Sequence, residues 1–244
     1  MARAVKKAER APSAADQAYN GIIDLVLRHE LRPGERTSVS LLAARLELGR
    51  SPIKEAIIRL QTEGVLSVTG QSGTMVNKFD YAQSEHLFAV RSLFEGFAAD
   101  AAARKVTPEQ LVRLRELLSD MRRYSMAGAD LRSAADFVRA NVAFHELIVA
   151  ATGNVFLVRL YAQIQMQMQI VTYLMLRGQD PRAAAQRQRQ HDGIYKALAA
   201  HNGKLLKSLL RAHAQNTETE ILTMLKASAE GGEGARRRWR RRAA

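Results

Sequence analysis

The chain has 244 residues, 47% of them hydrophobic and 6% aromatic, with no cysteine and a formal net charge of +13. Lack of cysteine excludes disulfides, thiolate metal sites and thiol nucleophiles. No 18-residue apolar run offers a membrane span, and the N-terminus lacks the apolar stretch of a secretory signal, so the expected location is the cytoplasm with no membrane partner. The basicity is concentrated at the ends. Arg236, Arg237, Arg238, Arg240, Arg241 and Arg242 supply +6 and residues 1–10 supply +3, leaving +4 for the body. Residues 1–14 and 229–244 read as disordered basic ends, either simply solvated or adding salt-sensitive phosphate attraction.

Ser13 or Asp16 can start a first helix, whose residues Ile22, Ile23, Leu25, Val26 and Leu27 give one buried face; LRPGER at 31–36 ends it. A second helix follows, with Ser38 or Ser40 as N-cap and Leu41, Leu42, Ala44 and Leu46 inward. The turn LELGR leads to a third helix, SPIKEAIIRLQTEG, with Ser51 as N-cap and Pro52 at the first helical position. Ile53, Ala56, Ile57 and Leu60 form its packed stripe, and Gly64 stops it. VLSVT and TMVNK then alternate around GQSG, a hairpin signal. This order is that of a winged helix-turn-helix. Arg50, Ser51 and Lys54 cluster at the start of the third helix, where such a helix reaches base edges and phosphates, and its unfilled N–H groups favour a phosphate.

The stretch PGERTSVSLLAARLELGRSPIKEAIIRLQTEGVLSVTGQSGTMV resembles the N-terminal domain of GntR-type bacterial transcription factors over about residues 15–78. The turn, Pro52, Glu55-Ala56, Leu60, Glu63-Gly64 and the Gly73-Thr74 wing fall in register. The resemblance implies operator DNA contacts by Arg50, Ser51 and Lys54, with Arg36 before the second helix and Gly73 and Thr74 at the wing tip. Two positions depart from the pattern. Lys54 stands where arginine is usual, exchanging a bidentate fork for a point charge, and Ser72 replaces a common basic wing residue.

NKFDYAQSEH at 77–86 reads as a linker, and residues 82–228 read as an all-α bundle, so the fold class is mainly α. Its first helix spaces Leu87, Val90, Leu93, Phe94 and Phe97 helically. TPEQ at 107–110 starts the next, with Thr107 as N-cap; helices near 130–152 and 154–177 follow, closed by Gly153 and Gly178. Asp180 opens another, and HNG precedes a last one over about 203–229. QIQMQMQI at 163–170 alternates like a strand, but the helical run continues past it on both sides. On a helix, Gln165 and Gln169 share one face and Gln163 and Gln167 another; at least one face looks inward, bonding to neighbours or lining a wet cavity.

RSLFEGFAADAAA at 91–103, NVAFHELIVAATGN at 141–154 and HDGIYKALAAHNG at 191–203 resemble the FCD effector domain of the FadR-like GntR subfamily. That resemblance implies a metal set of Asn141, His145, His191 and His213, the histidines 46 and 22 residues apart. Three imidazoles and an oxygen donor suit zinc or nickel rather than calcium or magnesium. Asn141 replaces the usual aspartate, so metal affinity should fall while the site stays more attractive to an incoming carboxylate. Arg91 either pins the second end of such an acid or pairs with Glu95 one turn on. Gln165 and Gln169 are further effector candidates, and Leu93, Phe97, Val142, Met166 and Tyr173 would set the cavity size. His29 and His201 sit at helix ends as structural residues, and His86 reads as exposed.

The function expected is a metabolite-responsive DNA-binding regulator, a homodimeric repressor released from double-stranded operator DNA by a small organic acid held at the metal. A metal-free acid sensor of the same type is the strongest variant. A metal-dependent enzyme lacks a supported general base or nucleophile set, and a non-specific DNA binder would rely on the basic ends alone.

Overall fold

The computed structural model describes residues 11–28, 30–69, 73–78, 81–126, 131–176 and 181–242, with side chains in the last segment described to Lys226. The backbone forms two compact units, Met1–Asn77 and Lys78–Ala244. His29, Ser72, Gly178 and Asp180 lie outside the described residues, as do residues 1–10 of the basic N-terminus.

The first unit contains α1 (Ala14–Leu27), β1 (Arg36–Thr37), α2 (Val39–Leu46), α3 (Arg50–Thr62), β2 (Leu66–Thr69) and β3 (Gly73–Val76). A capping box settles where α1 begins: the Asp16 N–H donates to Ser13 Oγ at 3.1 Å, and the Ser13 N–H donates back to the Asp16 carboxylate at 3.2 Å. Ser38 caps α2 through Leu41 N–H. Of the four apolar positions expected inward there, only Leu42 is fully buried; Leu41 and Ala44 are exposed, because this two-turn helix meets its neighbours along one narrow stripe. The N-cap of α3 is Gly49 rather than Ser51, so Pro52 is the third helical residue. Proline is still accommodated, since the first-turn N–H groups of a helix have no intrahelical partner. Ile53, Ala56, Ile57 and Leu60 are buried against α1, as the spacing requires.

The wing has three strands rather than two, in the order β1-β3-β2, all antiparallel. Two-residue β1 is too short to show alternation and carries no local signal. Thr74 pairs with Thr37 on one side and Val68 on the other, and is only 5% exposed.

The second unit comprises α4 (Tyr81–Lys105), α5 (Pro108–Met126), α6 (Leu131–Ala150), α7 (Val155–Leu176), α8 (Pro181–Ala199) and α9 (Gly203–Arg242). Helix α4 begins inside the stretch read as a linker. Thr107 and Gln110 form the expected reciprocal cap of α5, and the alternating glutamine run is helical. Helix α9 continues to Arg242 instead of giving way to a disordered tail near 229: alanine, glutamate and arginine favour helix, and the glycines there cost only about 1 kcal/mol each.

Helix α4 is the hub, touching α6, α7, α8 and, most extensively, α9. Its inner face is built from small residues, Ala98, Ala99, Ala102 and Ala103, all fully buried, together with Arg91 and Glu95. Val90, Leu93 and Phe97, expected in the core, instead face outward at 39%, 69% and 69% exposure. Of the spaced apolar residues of α4, Leu87 is buried and Phe94 packs on the core, while Val90, Leu93 and Phe97 lie on the other side. Gly203 opens α9 directly against α4, and a Cβ there would stand 2.9 Å from Asp100 Cα. Gly203→Ala is therefore expected to cost about 1–3 kcal/mol of stability, read as a lower midpoint in thermal unfolding of the full chain; an unchanged midpoint would show that the contact relaxes freely.

Candidate metal centre and nucleic-acid interface

Three helices of the second unit each bring one histidine to a common point: His145 from α6, His191 from α8 and His213 from α9, all 1–2% exposed. One ring nitrogen of each lies within 4.8 Å of the others. His145 Nε2 and His191 Nε2 are 3.4 Å apart, and the His145 and His213 rings stack with centroids 5.2 Å apart. Phe144 sets its ring edge-on to both His145 and His191, giving the cluster an apolar wall.

The opposite ring nitrogens fix the chemistry. His191 Nδ1 is 2.9 Å from the Arg187 carbonyl, His213 Nδ1 is 2.8 Å from Gln190 Oε1, and His145 Nδ1 is 3.2 Å from Glu95 Oε1. Carbonyl oxygens only accept, so Nδ1 of His191 and of His213 carries the proton and Nε2 of each keeps its lone pair; His145 Nδ1 faces Glu95 Oε1 without a well-aligned hydrogen bond. Burial pulls all three imidazoles below their ordinary pKa, and the nearby Arg91 charge pulls the same way, so they are neutral. Neutral imidazoles with one nitrogen oriented by an acceptor are the metal-ligating form. Asn141, 6% exposed, lies one turn before His145 on the same helix face.

Behind His145, Glu95 Oε1 also accepts from Arg91 Nε at 2.7 Å and from the Tyr161 hydroxyl at 2.6 Å. Burial alone would raise the Glu95 pKa; Arg91, His145 and Tyr161 outweigh it and hold the carboxyl well below the usual range. Of the two expectations for Arg91, the pair with Glu95 is made, yet Arg91 Nη2 remains buried with no partner among the described residues. Gln165 is 5% exposed with its Nε2 in the same condition, and Gln169 is half-buried. Leu93 and Phe97 do not line this region, whereas Val142, Met166 and Tyr173 are buried. A separate groove of about 460 Å³ over α5, α6 and α7, lined by residues including Leu117, Glu146, Leu147 and Val158, contains none of the histidines.

Sequence reasoning passed over Glu95 as a site residue, together with Tyr161 and Gln190. Glu95 was legible only as the i+4 partner of Arg91, and Gln190 sits in QRQRQH, which reads as a solvated face. His201 is structural, its Nδ1 2.7 Å from the Ala103 carbonyl, and His86 is exposed.

In the first unit, Arg50, Ser51 and Lys54 stand exposed at the start of α3, and Arg36 is exposed on β1. Arg50 Nη2 donates to Ser40 Oγ at 3.0 Å, tying the helix start to α2. Gly73 opens β3 at φ +78°, close beneath the Thr37 carbonyl, where a side chain would be strained. Thr74 was expected at the wing tip; its side chain is buried by the central strand position and faces no surface.

Residues 14–76 match the bacterial regulatory proteins of the gntR family, and residues 86–216 match the FCD domain. The chain belongs to the FCD-bearing branch of the GntR family. Ligand-responsive DNA binding is the function of such regulators. LutR of Bacillus subtilis, an HTH-type transcriptional regulator, is 28% identical over 220 residues, covering 80% of this chain and 94% of that protein. The Nta operon transcriptional regulator of Aminobacter aminovorans is 24% identical over 84% of this chain and 92% of its own length. Among solved structures, E. coli McbR/YncC superposes with a TM-score of 0.75 at 21% identity, covering 87% of this chain and 98% of that one. At that identity the likeness speaks for the fold. No described helix is long and apolar enough to cross a membrane.

Glu95→Gln would leave the Arg91 charge buried without its counter-ion, a change expected to cost about 3–5 kcal/mol. Urea unfolding of the GntR regulator and its variant checks this; equal midpoints would mean that Arg91 finds another partner.

Proposed function

We propose that the FCD domain of this regulator holds one divalent transition metal, zinc or nickel, on His145, His191 and His213 with Asn141, and that a small organic acid bound there releases the protein from its operator. The observation that carries this reading is the convergence of three buried imidazoles from three helices, with one ring nitrogen of each within 4.8 Å of the others. Without a metal, the 3.4 Å approach of His145 Nε2 to His191 Nε2 needs a proton between them. In the metal-free variant His145 supplies it as the Nε2–H tautomer, with both rings neutral; in the metal centre a cation takes both lone pairs instead. A bound metal supplies a concentrated positive charge that an all-neutral ligand set leaves uncompensated, and so attracts a carboxylate. Arg91 Nη2 and Gln165 Nε2 are unspent donors for the rest of the acid, and Gln169 follows one turn on. Glu146, the acid next to His145, lines the separate groove, so nothing supports a general base at the histidines. The acid shifts the regulator only to the extent that it binds one arrangement better than the other.

For DNA, Arg50, Ser51 and Lys54 serve base edges and phosphates, Arg36 a phosphate, and Gly73 the backbone approach of the wing. Two-fold operators call for two such heads. Val90, Leu93 and Phe97 on α4 and Val155, Phe156 and Leu160 on α7 are exposed apolar residues on helices joined by the Phe94–Tyr161 ring contact. We assign the cover of these exposed apolar residues to a second copy of the chain.

Elemental mass spectrometry of the purified full chain should find about one transition metal per chain, lost in a His145→Ala/His191→Ala variant. No metal after incubation with zinc or nickel would sink the metal centre and leave the metal-free acid sensor. Phe97→Glu should turn the dimer into a monomer by light scattering and weaken operator binding; an unchanged mass would move the interface elsewhere.

A further inference from the structure

The exposed face of α3 carries one large apolar residue, Ile58, among polar ones. Ile53, Ala56, Ile57 and Leu60 face the core, and Arg50, Ser51, Lys54, Glu55 and Ile58 face out. At 100° per residue, Ile58 lies about 40° around the helix from Lys54 and about 80° from Arg50, within the same stripe. It is 63% exposed, more than Leu41 at 52% or Val68 at 42%, the other large apolar residues exposed among the described residues of this unit. Helix propensity does not explain it, because a solvent position on a helix is better served by alanine, lysine or glutamine than by a β-branched residue.

The rise of the helix puts Ile58 about 6 Å beyond Lys54, the length of roughly two base-pair steps along a groove. Isoleucine can neither donate nor accept a hydrogen bond. On the major-groove edges of the bases the one apolar group is the thymine 5-methyl. The branched side chain also has little χ1 freedom to lose when it is covered. We infer that Ile58 is a specificity-determining residue of this regulator, packing on a thymine methyl next to the base pairs reached by Lys54. The inference rests on α3 being the recognition helix.

The experiment uses the full chain. Preferred duplexes are selected from a randomised pool, and each enriched thymine is then replaced singly by deoxyuridine, which removes the methyl and leaves pairing intact. The wild type is expected to lose about fourfold in affinity at one thymine, the value of one buried methyl-sized group. Ile58→Ala should bind the thymine and deoxyuridine duplexes equally, while Lys54→Ala should bind both more weakly yet keep the methyl preference. The inference is overturned if no replacement matters, if Ile58→Ala keeps the full methyl preference, or if Ile58→Ala changes the association state in light scattering. If Arg50→Ala and Lys54→Ala bind the selected site as tightly as wild type, it is the recognition-helix reading that fails.

Discussion

The second unit is organised around one carboxylate oxygen. Glu95 Oε1, deep inside the bundle, faces Arg91 from its own helix, Tyr161 from α7 and His145 from α6. A buried carboxylate is costly unless each lone pair meets a donor, and a buried guanidinium is costlier still without a counter-ion. Those two costs offset each other within α4, and the Tyr161 hydroxyl from α7 adds a donor from a second helix. The His145 ring of α6 faces the same oxygen, with Nδ1 toward Glu95 and Nε2 toward the other histidines.

That arrangement explains how a cluster of titratable groups remains uncharged where it matters. The ion pair neutralises itself, and the three imidazoles are pushed toward neutrality by burial. A cation held as proposed would meet no carboxylate ligand there, only an amide and three rings. A ligand of opposite sign is the natural complement. Arg91 commits its Nε to Glu95, while its Nη2 is buried with no partner among the described residues.

How far the sequence revealed this depends on the range of each interaction. Ser13, Ser38, Thr107 and Gly153 act on residues within one turn, and their elements begin or end where the local signals place them. The α3 stripe was legible because a short helix packed on one side leaves a clean period. Helix α4 was only partly so: Leu87 and Phe94 pack inward, but much of its inner face is alanines and an ion pair, and Val90, Leu93 and Phe97 lie on the opposite side. Thr74 shows the same limit, since its burial depends on β1, a strand thirty-seven residues earlier in register with it. The histidine cluster was legible through family resemblance, whereas the acceptors behind the rings, Glu95 and Gln190, come from contacts that no spacing encodes.

Helix α4 also has a mechanical meaning. Glu95 sits near its middle, and Tyr81, its first residue, follows within a few residues of the boundary between the two units at Asn77 and Lys78. Fourteen residues of helix make a rigid arm of about 21 Å between them. A tilt of about 5° around the buried carboxylate would move the far end by about 2 Å, given that arm length. Any reorientation of α4 about its buried ion pair is thus felt most at Tyr81, the end of the helix farther from Glu95.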